Sequence, residues 1–155
     1  MTIKEAMVHF VVERFVEGPA QKKSLAEIRQ DLQAGGEALT QILAGAADTP
    51  SNRKQLRHVI GIERWGQKRL RVALGEAFVP GEYDEFCPAE GRAWAELRAD
   101  FAETRQATLG LTQALEKANL PEGFTVRHNS FGPLSVKGWL RYLNNHAGME
   151  GKRIR

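Results

Sequence analysis

The sequence predicts an all-α protein built as a four-helix bundle with an extra N-terminal segment. Three observations carry that expectation. Four long segments place apolar residues at three- and four-residue steps, strand-like alternation is scarce, and a long irregular connection precedes the last segment. At 155 residues the chain is read as one domain, residues 1–155, long enough to bury a substantial core.

Residues 1–19 form an N-terminal extension. MVHFVVERFV is rich in valine and phenylalanine, which favours strand. Lys4-Glu5-Ala6-Met7 and Glu13-Arg14 favour helix, and Val8, Val11, Val12 and Phe15 share one face, so the segment is read as a helix ended by Gly18-Pro19. The first bundle helix carries Leu25, Ile28, Leu32, Leu39 and Ile42, with Gly35 in the one missing stripe position. Ser24 and Glu27 give it a capping-box start. The Gly35-Gly36 pair costs about 1–2 kcal/mol relative to two alanines, and marks either a close helix approach or a kink. AADTPSN ends this helix, and Pro50-Ser51 introduce the second.

The second helix, about residues 52 to 75, presents Val59, Ile62, Gly66 and Ala73, with His58 and Trp65 at the edge of that side and Gly75 as a C-cap. EAFVPGEYDEFCP reads as a turn-rich loop. The third helix, about Ala89 to Ala118, has the stripe Leu97, Phe101, Thr104, Thr108, Leu111 and Leu115, and Asn119, Pro121 and Gly123 stop it. GFTVRHNSFGPLS reads as irregular, and Ser135 caps the fourth helix.

Composition narrows the function. Apolar content of 42% with 26% charged residues describes a soluble globular chain, and no apolar run nears the roughly 18 residues of a membrane span. The N-terminal apolar stretch is interrupted by Glu5, His9, Glu13 and Arg14 and lacks a signal-peptide cleavage pattern. With a single cysteine, Cys87, no intramolecular disulfide forms, and the cytoplasm fits best. The net charge of +3 is spread along the chain. The basic residues Arg53 to Arg71 and the tail Lys152-Arg153-Arg155 read as solvated surface. They lack the concentrated stripe with interleaved aromatics that nucleic-acid binding uses.

The chemistry concentrates in GWLRYLNNHAGME. Trp139, Leu143, His146 and Glu150 fall on one stripe of a helix. Ionisable groups on a buried stripe cost several kcal/mol unless paired or bound to a metal. His58, beside the stripe of the second helix, is the candidate partner. Imidazole and carboxylate ligate zinc, nickel, manganese or iron, and three such groups from facing helices leave coordination positions for water or substrate. The plainer alternative is that His146 and Glu150 hydrogen-bond to each other. His128, before the fourth helix, borders a pocket mouth in this reading, and with Arg127 it would orient an anionic substrate. His9 is read as packed or partly exposed. Trp65, Trp94, Trp139 and Tyr142 are read as core or pocket wall, and Cys87 as incidental. No phosphate-binding glycine loop, serine-triad context or cysteine-rich zinc spacing is present.

Two segments carry a family resemblance. LRHVIGIERWGQKRLRVAL, with His58 followed by Glu63, resembles the second-helix motif of the DinB-like (DinB/YfiT) superfamily. HNSFGPLSVKGWLRYLNNH is similar to the same family's approach to its last helix. The resemblance spans roughly residues 20 to 155. It implies an up-down-down-up four-helix bundle, usually a homodimer, with a divalent metal held at the positions of His58, His146 and Glu150. One position departs from the pattern. The family's last helix typically offers His-x-x-x-His, whereas this chain has His146-x-x-x-Glu150, so either metal preference is altered or binding is lost. A carboxylate also makes a bound water less acidic than an all-histidine set does.

Relatives of this kind include transferases and isomerases that use low-molecular-weight thiols. The resemblance therefore implies a metal-dependent enzyme acting on a small molecule, a thiol S-transferase or hydrolase. The alternative is a non-catalytic dimeric bundle, small-molecule-binding or stress-linked, that has lost the metal.

Overall fold

A computed structural model describes residues 1–155. Four helices form the body: α3 (Leu25–Gly45), α4 (Pro50–Leu70), α5 (Trp94–Lys117) and α6 (Val136–Gly151). Each of α3 and α4 packs against both α5 and α6, as in a four-helix bundle. Ahead of them come α1 (Ile3–Val12), a π turn (Glu13–Glu17) and the short α2 (Gly18–Gln21). A β-hairpin, β1 (Thr125–His128) with β2 (Gly132–Ser135), closes one end.

Side-chain caps set the helix starts. Ser24 accepts the Glu27 amide, Thr49 the Asn52 amide and Ser135 the Gly138 amide. α4 ends in a tightened turn, Arg71–Leu74, and Gly75 stands in the left-handed region at φ 99°, as a C-cap glycine does. The apolar stripes read from the sequence are buried on α3 and α5, apart from Leu25, which is half-buried, and Ile42, which is exposed.

Three expectations need correction. The N-terminal helix is not ended by Gly18-Pro19 but runs through them to Gln21. The π turn widens the backbone just before the proline, with the Gly18 amide reaching Glu13 O. The Phe15 carbonyl, which Pro19 has no N–H to meet, accepts instead from Arg141 Nε at 3.0 Å. The third helix begins at Trp94 rather than near Ala89. A turn closes from the Arg92 amide to Ala89 O, and the Glu96 carboxylate caps the Ala93 amide. The stretch read as irregular holds the hairpin, in which Val126 faces in opposite buried Leu134. Its strands are four residues each, too short for alternation to stand out from a loop.

Tight contacts at glycine settle the Gly35-Gly36 alternatives in favour of close approach. A Cβ on Gly35 would lie 2.3 Å from Asn144 Oδ1, and one on Gly36 would lie 2.8 Å from Arg105 Cγ, while α3 continues unbroken past both. They make room for a buried polar network. Arg105 on α5 forms a two-pronged ion pair with Glu63 on α4, Nε to Oε1 at 2.7 Å and Nη2 to Oε2 at 2.9 Å. Its remaining nitrogen reaches Leu32 O on α3 at 2.7 Å and Asn144 Oδ1 on α6 at 3.1 Å. Thr108 donates to Glu63, and Gln67 donates to Thr104 O and Thr108. All four helices are thereby tied at one level.

Candidate metal centre

His58 stands on α4 two turns after its N-terminus, on the edge that faces α6. His146 and Glu150 stand one turn apart on α6, following Trp139 and Leu143, whose burial fixes that face inward. The fold brings the three together. One ligand atom from each lies within 4.8 Å of the others, and His58 Nε2 is 3.1 Å from His146 Nε2. Tetrahedral ligands at the usual bond lengths of about 2.0–2.1 Å are about 3.3 Å apart, so two nitrogens at this spacing with a carboxylate beside them fit a small divalent ion. All three residues are half-buried.

Burial also prepares the imidazoles chemically. Desolvation lowers the His146 pKa to about 4, with the neighbouring His58 charge adding to the effect and Glu150 opposing it. Desolvation lowers His58 as well. Both rings are therefore neutral at pH 7, with lone pairs free for a metal or a hydrogen bond. Tyr83 meets the His58 ring edge-on, centroids 4.9 Å apart, and Gln55 donates to the Glu150 carboxylate.

His58 and Glu150 line a cleft of about 330 Å³, and His146 is not among its lining residues. One wall is the loop after α4, which turns through a short 3-10 segment, Tyr83–Phe86, and brings Cys87 against the backbone of Gly61. The Cys87 thiol has its pKa raised by burial, so it stays protonated. Lys54, Arg57 and Arg153 surround the mouth with positive charge, against Asp84 and Glu150. Arg57 is steadied by Pro88 O at 2.8 Å, and Arg153 lies 3.5 Å from Glu150.

Arg127 and His128 do not line this cleft. Arg127 is exposed on the outer face of β1, and its carbonyl accepts from Arg69 Nη1 at 2.7 Å. His128 is buried among Trp65, Phe131, Trp139 and Tyr142, with ring centroids 4.5–5.1 Å away. Its Nδ1 accepts from the Ser130 and Phe131 amides at 3.1 and 3.2 Å, so the proton sits on Nε2, which has no hydrogen-bond partner. Desolvation, then the charges of Arg69 and His146, bring its pKa down to about 4. Tyr142, between His128 and His146, is pushed up to about 12 by burial and remains a donor.

Sequence reasoning missed Lys54 and Arg153 as cleft residues. Lys54 lies one turn before His58 and Arg153 one turn after Glu150, so helical spacing from the cluster could have found them.

These features define a helical bundle with a His/His/Glu cluster that could hold a metal ion. Residues 36–150 match the family model of the DinB superfamily, and the chain belongs to that superfamily. No curated protein and no solved structure matches the chain. Membership and cluster together fit a metal-dependent enzyme. No helix is long and apolar enough to cross a membrane.

Proposed function

We propose that this protein is a metal-dependent enzyme in which His58, His146 and Glu150 hold a divalent ion and the cleft takes a small anionic substrate. Within that reading, a low-molecular-weight thiol used for S-transfer, or a hydrolysable anionic ester or amide, fits best. The observation that carries it is the convergence of two imidazole nitrogens from different helices with a carboxylate, two of the three residues, His58 and Glu150, lining an open cleft. Bound there, a divalent ion would lower the pKa of a thiol or water and supply a nucleophile at neutral pH. His58 and His146 contribute by staying neutral, because burial holds both below the ordinary histidine value. Gln55 fixes the Glu150 carboxylate, and Tyr83 fixes the His58 ring. Lys54, Arg57 and Arg153 draw in and orient a substrate carboxylate; low-molecular-weight thiols carry such groups.

A second reading has its own support. The imidazoles stand at hydrogen-bond distance and Glu150 accepts from Gln55, so the cluster can close on itself in a non-catalytic small-molecule-binding protein. Elemental analysis of untagged protein beside the His58→Ala variant separates the two. About one metal per chain, lost in the variant, is expected under the enzyme reading, and justifies screening thiol transfer and hydrolysis. No metal after incubation with zinc, nickel and manganese would leave the second reading standing.

A further inference from the structure

The wall of the cleft carries charges of both signs that no protein group neutralises. Arg57 gives its Nε to Pro88 O at 2.8 Å, which holds the guanidinium and leaves both of its Nη groups without a protein partner. Lys54, one turn before it, lines the same cleft and makes no ion pair, although Arg53 beside it is spent on Asp48 at 2.7 Å. Asp84, on the loop wall, likewise makes no ion pair and its carboxylate accepts no hydrogen bond. Glu150, the other carboxylate of the cleft, already accepts from Gln55 and lies 3.5 Å from Arg153.

The fold sets these charges near one another without letting them meet. Arg57 stands on α4 beside His58. Asp84 belongs to the 3-10 turn Tyr83–Phe86, which is pinned because Tyr83 packs edge-on against the His58 ring and the Cys87 amide donates to Asp84 O at 3.2 Å. The Cys87 pKa, raised chiefly by burial, is lowered by Arg57 and raised further by Asp84, so the two charges flank the same sulfur. A cleft of about 330 Å³ is about 7 Å across. Arg57 and Asp84 are thus too far apart to pair directly and close enough for one small ligand to bridge. A guanidinium with two unspent Nη groups matches a planar pair of oxygens, as in a carboxylate. An unpaired Asp84 carboxylate asks for a cation. The headgroup of an α-amino acid carries both groups on one carbon, and hydrogen bonds of about 2.8–3.0 Å at each end let it span such an interval. A phosphate or a simple carboxylate would satisfy Arg57 and be repelled by Asp84; a simple amine would leave Arg57 unmet.

We propose that the cleft recognises the zwitterionic headgroup of an α-amino acid, with the carboxylate on the Arg57 Nη pair, Lys54 beside it, and the ammonium on Asp84. The assignment rests on the proposed role of this cleft as a small-molecule site, and names the class of molecule it takes. Nuclear magnetic resonance titration of the full chain with S-methyl-L-cysteine, which has no free thiol, tests it. The protein is first stripped of metal by chelation, because an amino acid would otherwise bind the ion itself. Saturable shifts at the Arg57 Nε–H and the Asp84 amide are expected. Removing the amino group from the probe is expected to weaken binding about fivefold, and removing its carboxylate at least about tenfold. Asp84→Asn is expected to bind the parent probe and its des-amino analogue alike. Arg57→Lys, which keeps the charge and loses the fork, is expected to bind the parent about tenfold more weakly. Absence of saturable binding, a des-amino analogue held by the wild type as tightly as the parent, or an Asp84→Asn variant that still distinguishes the two overturns the proposal. Neither Arg57 nor Asp84 belongs to the His58–His146–Glu150 cluster, so metal content tests the enzyme reading separately. Protein that binds the headgroup but no metal supports the proposal and overturns that reading, and protein that binds metal but no headgroup does the reverse.

Discussion

Two polar clusters lie on the same helices, and they are built on opposite principles. In the middle of the bundle, Arg105 and Glu63 are almost wholly buried, and the pair's polar atoms meet Leu32 O, Asn144 and Thr108. Toward the cleft, His58, His146 and Glu150 are half-buried and rely on one imidazole contact, on Gln55 and on the exposed Arg153 at 3.5 Å. A closed network has no capacity left for a ligand, and its role is to fix helix register. An open cluster keeps neutral lone pairs and a carboxylate facing water, and such a cluster can take a metal. The comparison teaches that burial alone does not mark a site; unspent ligand capacity does.

The largest effect should come from breaking the closed network. Glu63→Leu leaves the Arg105 guanidinium buried without its counter-charge, and should cost about 3–5 kcal/mol in urea unfolding. Adding Arg105→Met should recover much of that loss, because the uncompensated charge is what destabilises. A double variant no more stable than the single would show that the network contributes more than charge balance. At the open cluster, by contrast, His58→Ala should change apo-protein stability far less.

A pH titration sharpens the comparison from a third position. His128 has a pKa near 4 in the fold against an ordinary value of 6.5, so the unfolded chain binds the extra proton first as pH falls. Stability from this group is complete above about pH 6.5, and is lost progressively down to about pH 4, by about 3 kcal/mol in all. His128→Asn can keep an acceptor for the Ser130 and Phe131 amides while removing the titrating ring. The urea midpoint of that variant should depend less on pH between 4 and 6.5 than that of the wild type. An unchanged acid limb would assign the loss to other groups.

Next in size is the response to metal. Zinc at a hundredfold excess over its dissociation constant should raise stability by about 2.7 kcal/mol, and chelation should reverse it. His58→Ala should abolish that response while leaving the Glu63–Arg105 network intact. A melting temperature indifferent to zinc, nickel and manganese would remove the functional contrast between the two clusters.

Much of this was legible in the sequence, and the limits were physical. Helical periodicity gave the four helices, because burial of Leu97, Phe101, Leu111 and Leu115 imposes a 3.6-residue spacing that survives in the text. The stripe of Trp139, Leu143, His146 and Glu150 gave the cluster for the same reason, once His58 was set against it. The hairpin was hidden because four-residue strands barely alternate. The Arg105–Glu63 pair was hidden because charged residues read as surface unless their partners are known; the threonines of the α5 stripe were the one hint of a polar interior. Arg127 and His128 were grouped as adjacent residues, but strand geometry sends neighbours to opposite faces.

The smallest expected effect is also the most local, at Gly36→Ala. Alanine propensity should stabilise α3 by up to about 1 kcal/mol. Against that, the new Cβ would stand 2.8 Å from Arg105 Cγ, and the arginine stem cannot retreat without disturbing its bonds to Glu63 and Leu32 O. Overpacking of this kind costs about 1–3 kcal/mol, so a net loss of about 1 kcal/mol is expected. The sign decides between two views of the closed network. A net loss means Gly36 is there to let the arginine pass between helices. A net gain would mean the arginine side chain has slack, and that the network, like the cleft cluster, can adjust around what it is given.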